Sequence, residues 1–126
     1  MTVNQAISPH IIDHYHAHIY YEPASRERAA RVREGLAAAF PDAVIGRWHD
    51  QPVGPHTQAM YQVAFGTDQL AVILPWLMLN RDGLSVLVHP GTGSGNGYID
   101  HTQHAAWLGA PLPLNPAAFK RGPGQG

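Results

Sequence analysis

The sequence predicts an α+β fold in which two helices cover one face of a four-stranded antiparallel sheet. Residues 13–21 and 58–65 alternate apolar and polar side chains, as half-buried strands do. Residues 24–40 carry apolar side chains at helical spacing, and residues 84–90 form a run rich in valine and leucine that is typical of a strand. The 126 residues, 44% of them hydrophobic, are enough for one globular domain without disulfides.

The first predicted strand carries histidines at every second position, in the sequence HYHAH that begins at His14. Side chains alternate across a strand, so the three histidines and Tyr20 share one face. The other face carries Tyr15, Ala17, Ile19 and Tyr21. We expect this second face to contact the helices, which leaves the histidine face for solvent, a partner subunit or a ligand to cover.

The helix at residues 24–40 follows the first strand and should end at Pro41 and Asp42. Its inward side is predicted to consist of Ala29, Val32, Leu36 and Phe40. A short strand at residues 43–48 and the turn-rich sequence DQPVGPH then lead into the strand at residues 58–65. The face of that strand expected to meet the helix carries Tyr61, Val63 and Phe65.

A second helix is predicted from Thr67, as its cap, to about Arg81, with a kink or break at Pro75 because proline removes a helical hydrogen bond. The strand at residues 84–90 completes the order βαββαβ, which is the ferredoxin-like arrangement. In that arrangement the last strand lies antiparallel beside the first. We therefore expect His16 and His89 to meet.

The segment after the last strand contains glycines at positions 91, 93, 95 and 97, but its spacing fits neither a P-loop nor a dinucleotide-binding motif. We expect a flexible lid or a plain linker here. Asp100 is predicted to cap a short helix at residues 101–108, which Gly109 closes. Trp107 and Leu108 are expected to pack in that helix.

Composition excludes several classes of partner. The chain has 8 Lys and Arg, 9 Asp and Glu and a net charge of −1, so neither nucleic acid nor an anionic membrane is an expected partner. The first ten residues lack the pattern of a secretory signal, and we expect a cytoplasmic protein. Residues 1–12 are expected to form an N-terminal arm, and residues 112–126 a partly disordered tail.

The nine histidines indicate metal or acid–base chemistry. No cysteine is present, so a metal site must use imidazole and oxygen. His16 and His18 have the spacing of strand ligands, and His89 is a third candidate. Glu22 and Asp100 are the candidate carboxylates. Exposed or hydrogen-bonded structural histidines remain the alternative. Neither G-x-S-x-G nor H-E-x-x-H occurs, which disfavours a serine hydrolase or a zinc peptidase.

Four motifs in order, HAHIYY, GPH, PWLMLNRDGLSVLVHPGTG and DHTQHAAWLG, together resemble the DOPA 4,5-dioxygenase family of small ring-cleaving proteins. The resemblance covers roughly residues 14–110. It implies a ferredoxin-like fold that pairs into a dimeric α+β barrel through the open sheet faces. It also implies extradiol cleavage of a catechol, such as DOPA, by O₂ at a non-haem iron. Thr57 and Ser94 depart from the family pattern, which leaves the substrate preference open.

The resemblance assigns roles to particular residues. The family's histidines fall on His16, His18, His56, His89 and His101, and its acid falls on Asp100. We expect His16, His18 and His89 to hold Fe(II), or zinc or another divalent metal in a purified sample. His56 and His101 are the expected acid–base residues. Tyr20, Glu22, Trp48 and Asp100 are expected to contact the substrate or support the ligands. His56 should lie near Tyr20 and Glu22 rather than beside His89.

Two alternatives remain open from the sequence. The protein could be a metal-free binding module for a small aromatic molecule in a dimeric cleft. Its histidine faces could also be an interaction surface alone, packed across a dimer that dissociates on protonation. The sequence names neither the physiological catechol nor the group that completes the metal shell.

Overall fold

The computed structural model describes residues 6–93 and 96–121, without the side chains of residues 120 and 121. Part of the glycine-rich segment and residues 122–126 of the expected tail therefore lie outside the described residues. The described strands are β1 (His14–Tyr20), β2 (Val44–Ile45), β3 (Met60–Gly66), β4 (Val86–Gly91) and β5 (Ala106–Leu108). The described α-helices are α1 (Arg26–Ala39), α2 (Leu70–Asn80) and α3 (Gly97–Thr102).

The sheet is antiparallel with the strand order β2-β3-β1-β4-β5. This confirms an α+β fold, and the first four strands follow the predicted ferredoxin-like order. The prediction of four strands was wrong, because β5 adds a fifth beside β4. Leu87 of β4 lies opposite Trp107 of β5. Without β5, the outer edge of β4 would expose its backbone groups.

The predicted helix at residues 101–108 was also wrong. Helix α3 begins earlier, at Gly97, and ends at Thr102, where the chain turns back to form β5. The cap is Asn96 rather than Asp100, since the Asn96 side chain accepts a hydrogen bond from the Ile99 amide at 3.2 Å. Three residues of the predicted helix, Ala106, Trp107 and Leu108, pair with β4 instead.

The helix face of the sheet carries the main core, as predicted. Ala17 and Ile19 of β1 pack there with Tyr61 of β3, whose hydroxyl donates a hydrogen bond to the Ala29 carbonyl of α1 at 2.8 Å. Helix α2 differs from the prediction at its start, where Thr67 begins a 3-10 turn ahead of α2 instead of capping it. The helix continues through Pro75, so of the two predicted effects of this proline, a kink or a break, the break does not occur.

The histidine face is partly covered by the chain's own C-terminal segment, for which the sequence predicts a partly disordered tail. Asn115 donates from its amide to the Pro55 carbonyl at 2.7 Å, and Thr57 donates to the Pro113 carbonyl at 2.7 Å. A second apolar cluster forms beneath this segment, from Tyr20, Met60 and Leu87 together with Trp107, Leu112 and Leu114. Among the described helices, none is both long and apolar enough to cross a membrane.

Candidate metal and substrate site

Five histidines from four parts of the chain converge on the histidine face, and we call them the histidine cluster. Strand β1 supplies His16 and His18, β4 supplies His89, the loop before β3 supplies His56, and α3 supplies His101. The β1–β4 register places His16 directly opposite His89, which confirms that predicted contact. All members except His16 are buried.

The rings of the cluster are in mutual contact. His18 lies with its ring centroid 4.2 Å from that of His56 and 5.1 Å from that of His89. The ring centroids of His89 and His101 are 3.8 Å apart. The expectation that His56 lies near Tyr20 is confirmed. His56 and His89 nevertheless belong to one compact cluster, because both rings contact those of His18 and His101.

Two sets of three histidines within the cluster have ligand atoms close enough to share a metal ion. The first trio is His16, His18 and His89, and the second trio is His18, His56 and His101. In each trio the candidate ligand atoms lie within 4.8 Å of one another. His18 belongs to both, so it occupies the centre of the candidate metal site.

Backbone carbonyls orient two of these rings. The Nδ1 of His89 lies 3.0 Å from the Pro90 carbonyl, and the Nδ1 of His101 lies 2.7 Å from the Gly97 carbonyl. A carbonyl only accepts, so Nδ1 carries the proton in both rings and Nε2 keeps its lone pair. Metal-binding histidines are commonly oriented in this way.

The cluster contains buried nitrogens that the described residues do not satisfy. The Nδ1 of His18 and the Nε2 of His101 have no hydrogen-bond partner among the described residues, although both atoms are inaccessible to solvent. Buried polar atoms normally have a partner, so each of these exceptions requires an explanation. A metal ion bound by imidazole lone pairs fits the donor set, because imidazole binds iron, zinc and copper.

Burial keeps four members of the cluster, His16, His18, His89 and His101, in the neutral form at neutral pH. Removal from water, and then repulsion from neighbouring imidazoles, lowers the pKa of His16 to about 4 and that of His89 to about 3. The same two causes lower the pKa of His18 well below its usual value, and burial lowers the pKa of His101. Neutral imidazole is the form that binds a metal.

Tyr20 links the cluster to the apolar segment that covers it. Its hydroxyl lies 2.7 Å from Nδ1 of His56, and its ring centroid is 5.6 Å from that of Trp107. Burial raises the pKa of the Tyr20 phenol, so the group stays protonated and can donate to His56. Tyr20 therefore positions His56.

Asp100 lies beside the cluster without joining either trio. Its carboxylate accepts hydrogen bonds from the Thr92 hydroxyl at 3.1 and 3.2 Å, and it pairs with Nδ1 of His104 at 3.3 Å. These contacts fasten α3 to the chain that follows β4. Because the next residue is His101, Asp100 contributes to the position of that ring.

Two other residues that the sequence offered as candidates, Glu22 and Trp48, lie outside the histidine cluster. Glu22 is exposed, and its backbone amide donates to the Ser25 hydroxyl at 2.9 Å at the start of a 3-10 turn. Trp48 packs on the helix face, with the Arg26 guanidinium 4.0 Å from its ring centroid. Neither trio therefore includes a carboxylate, unlike the common set of two histidines and one carboxylate.

Two cavities reach the cluster. The first, which we call the aromatic cavity, measures about 390 Å³, and its lining includes Tyr98, His101, Trp107, Leu112, Leu114 and Phe119. The second cavity measures about 410 Å³, and its lining includes His18, His49, Val53, His56, Met60 and Gln62. Sequence reasoning missed Phe119 and assigned Trp107 to packing. The strand-like sequence AWL was the available signal for Trp107, while nothing in the local sequence marks Phe119.

Comparison with known proteins identifies the group to which this site belongs. A model of the Dopa 4,5-dioxygenase family matches residues 15–118, a span that contains the whole histidine cluster. The chain belongs to the Dopa 4,5-dioxygenase family. The resemblance seen in the sequence motifs is thereby confirmed.

Two proteins of similar sequence support the assignment. A protein from Amanita muscaria named DOPA 4,5-dioxygenase is 31% identical over 112 residues, which are 82% of this chain and 48% of that protein. An uncharacterized 21.2 kDa protein from Botryotinia fuckeliana is 39% identical over 116 residues, 85% of this chain and 63% of that protein. The chain thus spans about half to two thirds of the length of these curated relatives.

A solved structure shares the fold of this family member. The crystal structure of a protein from Nostoc punctiforme, described provisionally as a dioxygenase, superimposes with a TM-score of 0.88 at 49% sequence identity. The match covers 92% of this chain and 98% of that one.

Proposed function

We propose that this protein is an extradiol dioxygenase, which opens the ring of a catechol with O₂ at a non-haem metal ion. The observation that carries the proposal is the convergence of buried, neutral histidines, two of which keep an unpartnered nitrogen among the described residues. Such an arrangement costs stability in the absence of a ligand. A divalent metal bound by His18 would satisfy one of these nitrogens, and a proton donated by a bound diol would satisfy that of His101.

The proposed ligands are His16, His18 and His89, and the proposed metal is Fe(II). The Pro90 carbonyl orients the His89 ring so that its Nε2 lone pair points towards His18, and a metal would take the place of the hydrogen bond between these two rings. His16 is partly exposed, so one side of this trio is open in the single chain. Zinc or another divalent ion could occupy the same imidazoles in a purified sample.

The metal, when bound, would supply the positive charge that stabilises a deprotonated diol next to O₂. The chain's own residues would move the protons. We assign His101 and His56 as acceptors of the diol protons, because each is a buried imidazole that touches His18. Tyr20 fixes the orientation of His56 through its hydroxyl.

The overall reaction balances without a further cofactor. Both oxygen atoms of O₂ enter the product, and the ring carbon–carbon bond next to the diol breaks, so that one C₆H₆O₂ catechol gives one C₆H₆O₄ semialdehyde acid. No external reductant is consumed. This requirement agrees with a small domain whose sequence lacks the nucleotide-binding motifs named above.

We also propose that a second copy of the chain covers the remaining part of the histidine face. Val44, on the short edge strand β2, is 68% exposed, and His14 and His16 are only partly buried. Dimerisation through this face would give the dimeric α+β barrel that the family resemblance implies. Its check is the molecular mass in solution.

The test of the function is anaerobic reconstitution with Fe(II), followed by addition of a catechol and air. The expected result is a yellow ring-opened product whose formation depends on iron. His89→Ala should lose iron and activity together, whereas the exposed His10→Ala should keep both. Saturable catechol binding that a chelator does not change, without product, would favour the metal-free binding module instead.

A further inference from the structure

The aromatic cavity is continuous with the histidine cluster, because His101 belongs to both. The Phe119 ring centroid lies 5.3 Å from that of His101, and Trp107 contacts Tyr20, which in turn bonds His56. A molecule in this cavity would therefore contact residues that also contact the proposed reaction centre. The volume of about 390 Å³ is within the range of small-molecule sites.

The walls of this cavity suit an aromatic ring with an apolar substituent. Trp107, Phe119 and Tyr98 supply aromatic surface, and the ring centroids of Tyr98 and Phe119 are 5.5 Å apart. Leu112 and Leu114 supply aliphatic surface from the C-terminal segment. Aromatic side chains pack well against aromatic ligands in stacked or edge-to-face geometry.

The lining offers no charged partner to a substrate. Of the described side chains that line the cavity, none is an aspartate, glutamate, lysine or arginine. DOPA carries a carboxylate and an ammonium group on its side chain, and burial of either charge without a partner is costly. A neutral alkyl or aryl substituent would instead gain free energy from leaving water.

We infer that this protein acts on neutral catechols bearing an apolar substituent, in preference to amino-acid catechols such as DOPA, and that Trp107 is the residue that sets this preference. The inference rests on the proposed extradiol function. The second cavity is a weaker candidate for the substituent, because no carbocyclic aromatic side chain is among its described lining residues, and an apolar group there could not use the hydrogen-bonding groups of His49 and Gln62.

The first test compares substrates on the iron-reconstituted protein. From 4-methylcatechol to 4-butylcatechol, kcat/KM should rise about fourfold for each added methylene, until the cavity is filled. L-DOPA should have a kcat/KM at least about tenfold below that of 4-propylcatechol, since both have three-carbon side chains and only DOPA is charged. Equal or faster turnover of L-DOPA would overturn the inference.

The second test uses binding, so that it remains informative if no catechol is turned over. Quenching of tryptophan fluorescence should report binding of the same catechols, and the Trp107→Phe variant should lose most of that quenching. Trp76→Phe is the matched control, because Trp76 packs against Phe40 on the helix side. Failure of turnover with the expected order of affinities would reject the extradiol function but support the pocket.

The third test shifts the substrate preference from a neutral to an anionic catechol. Leu114→Lys places a cation in the lining, and it should raise kcat/KM for 3,4-dihydroxyphenylpropanoate relative to 4-propylcatechol at least about tenfold. Thermal melts would show that each variant is folded. If Gln62→Leu changes the dependence on chain length and Trp107→Phe does not, the substituent binds in the second cavity and the inference is wrong.

Discussion

His18 and His89 face each other across two adjacent strands, with their Nε2 atoms 3.0 Å apart. Because His89 donates from Nδ1 to the Pro90 carbonyl, its Nε2 accepts, and His18 must supply the proton of this bond. The other nitrogen of His18 then keeps a buried lone pair without a partner among the described residues. The hydrogen bond between His18 and His89 thus determines the tautomer of His18, the residue that both trios share.

The two trios can be separated by substitution, because only His18 is common to both. His18→Gln should abolish stoichiometric iron binding whichever trio holds the metal. If the first trio holds it, as proposed, His16→Ala should also lose iron. His101→Ala should then keep iron while kcat falls about 10²- to 10⁴-fold, the usual contribution of an acid–base residue. Iron per chain, measured by atomic emission, gives the answer.

The exposed His10 provides the control for these variants, since His10→Ala removes an imidazole outside the cluster. Retention of iron by His16→Ala combined with its loss in His101→Ala would move the metal to His18, His56 and His101. The roles of His16 and His101 would then have to be exchanged.

The sheet could be predicted from the sequence because a half-buried strand leaves a local and periodic pattern of apolar and polar side chains. Alternation in β1 fixes which side chains share a face, and strand order then makes His16 and His89 neighbours. These two features depend only on backbone geometry. The grouping of His16, His18 and His89 in the first trio therefore follows from the strand pattern and the strand order alone.

The second half of the site could not be predicted in the same way. His56 and His101 lie outside the strands, and their approach to His18 depends on how the loop before β3 and the segment after β4 cross the sheet. Such crossings are determined by tertiary contacts, for example the bond between Asn115 and the Pro55 carbonyl. Short periodic patterns contain no information about them.

The stability of the metal-free protein should fall in mild acid. In the unfolded chain histidine titrates near pH 6.5, whereas in the fold the pKa of His16 is about 4 and that of His89 about 3. Between these values the unfolded state binds more protons, so stability decreases as the pH falls and is fully present above about pH 6.5. Urea unfolding at pH 7.5 and pH 5 measures the effect.

The variant that tests this explanation is His89→Gln. It removes one of the two histidines named above, so it should reduce the difference in unfolding free energy between pH 7.5 and pH 5. A stability that is unchanged between pH 7.5 and pH 5 would show that the cluster is not neutral and desolvated in solution. His10→Ala should leave the pH dependence unaltered, because His10 is exposed.

Replacement of Asp100 tests how α3 is held. Asp100→Asn removes the charge and one acceptor from a buried group that bonds Thr92 and His104, and it should cost about 1–3 kcal/mol of unfolding free energy. The activity should fall as well, because His101 follows directly. Urea unfolding and kcat are the measurements. A loss as small as that of Asp42→Asn, at an exposed carboxylate, would contradict this role.

Removal of the Tyr20 hydroxyl tests the positioning of His56. Tyr20→Phe deletes the 2.7 Å contact to Nδ1 of His56 in a buried place, which should cost about 1–3 kcal/mol of unfolding free energy. If His56 accepts a proton from the diol, kcat should fall about 10- to 100-fold, while iron binding should persist because Tyr20 contacts no member of the first trio through its hydroxyl.

Tyr61→Phe is a matched control for this change. It also removes a buried tyrosine hydroxyl, in this case one that donates to the Ala29 carbonyl at 2.8 Å on the helix face. Both variants should lose comparable stability, so a fall in kcat confined to Tyr20→Phe would assign the effect to His56 and not to loosening of the fold. An equal fall in both variants would mean that the Tyr20 hydroxyl has only a structural role.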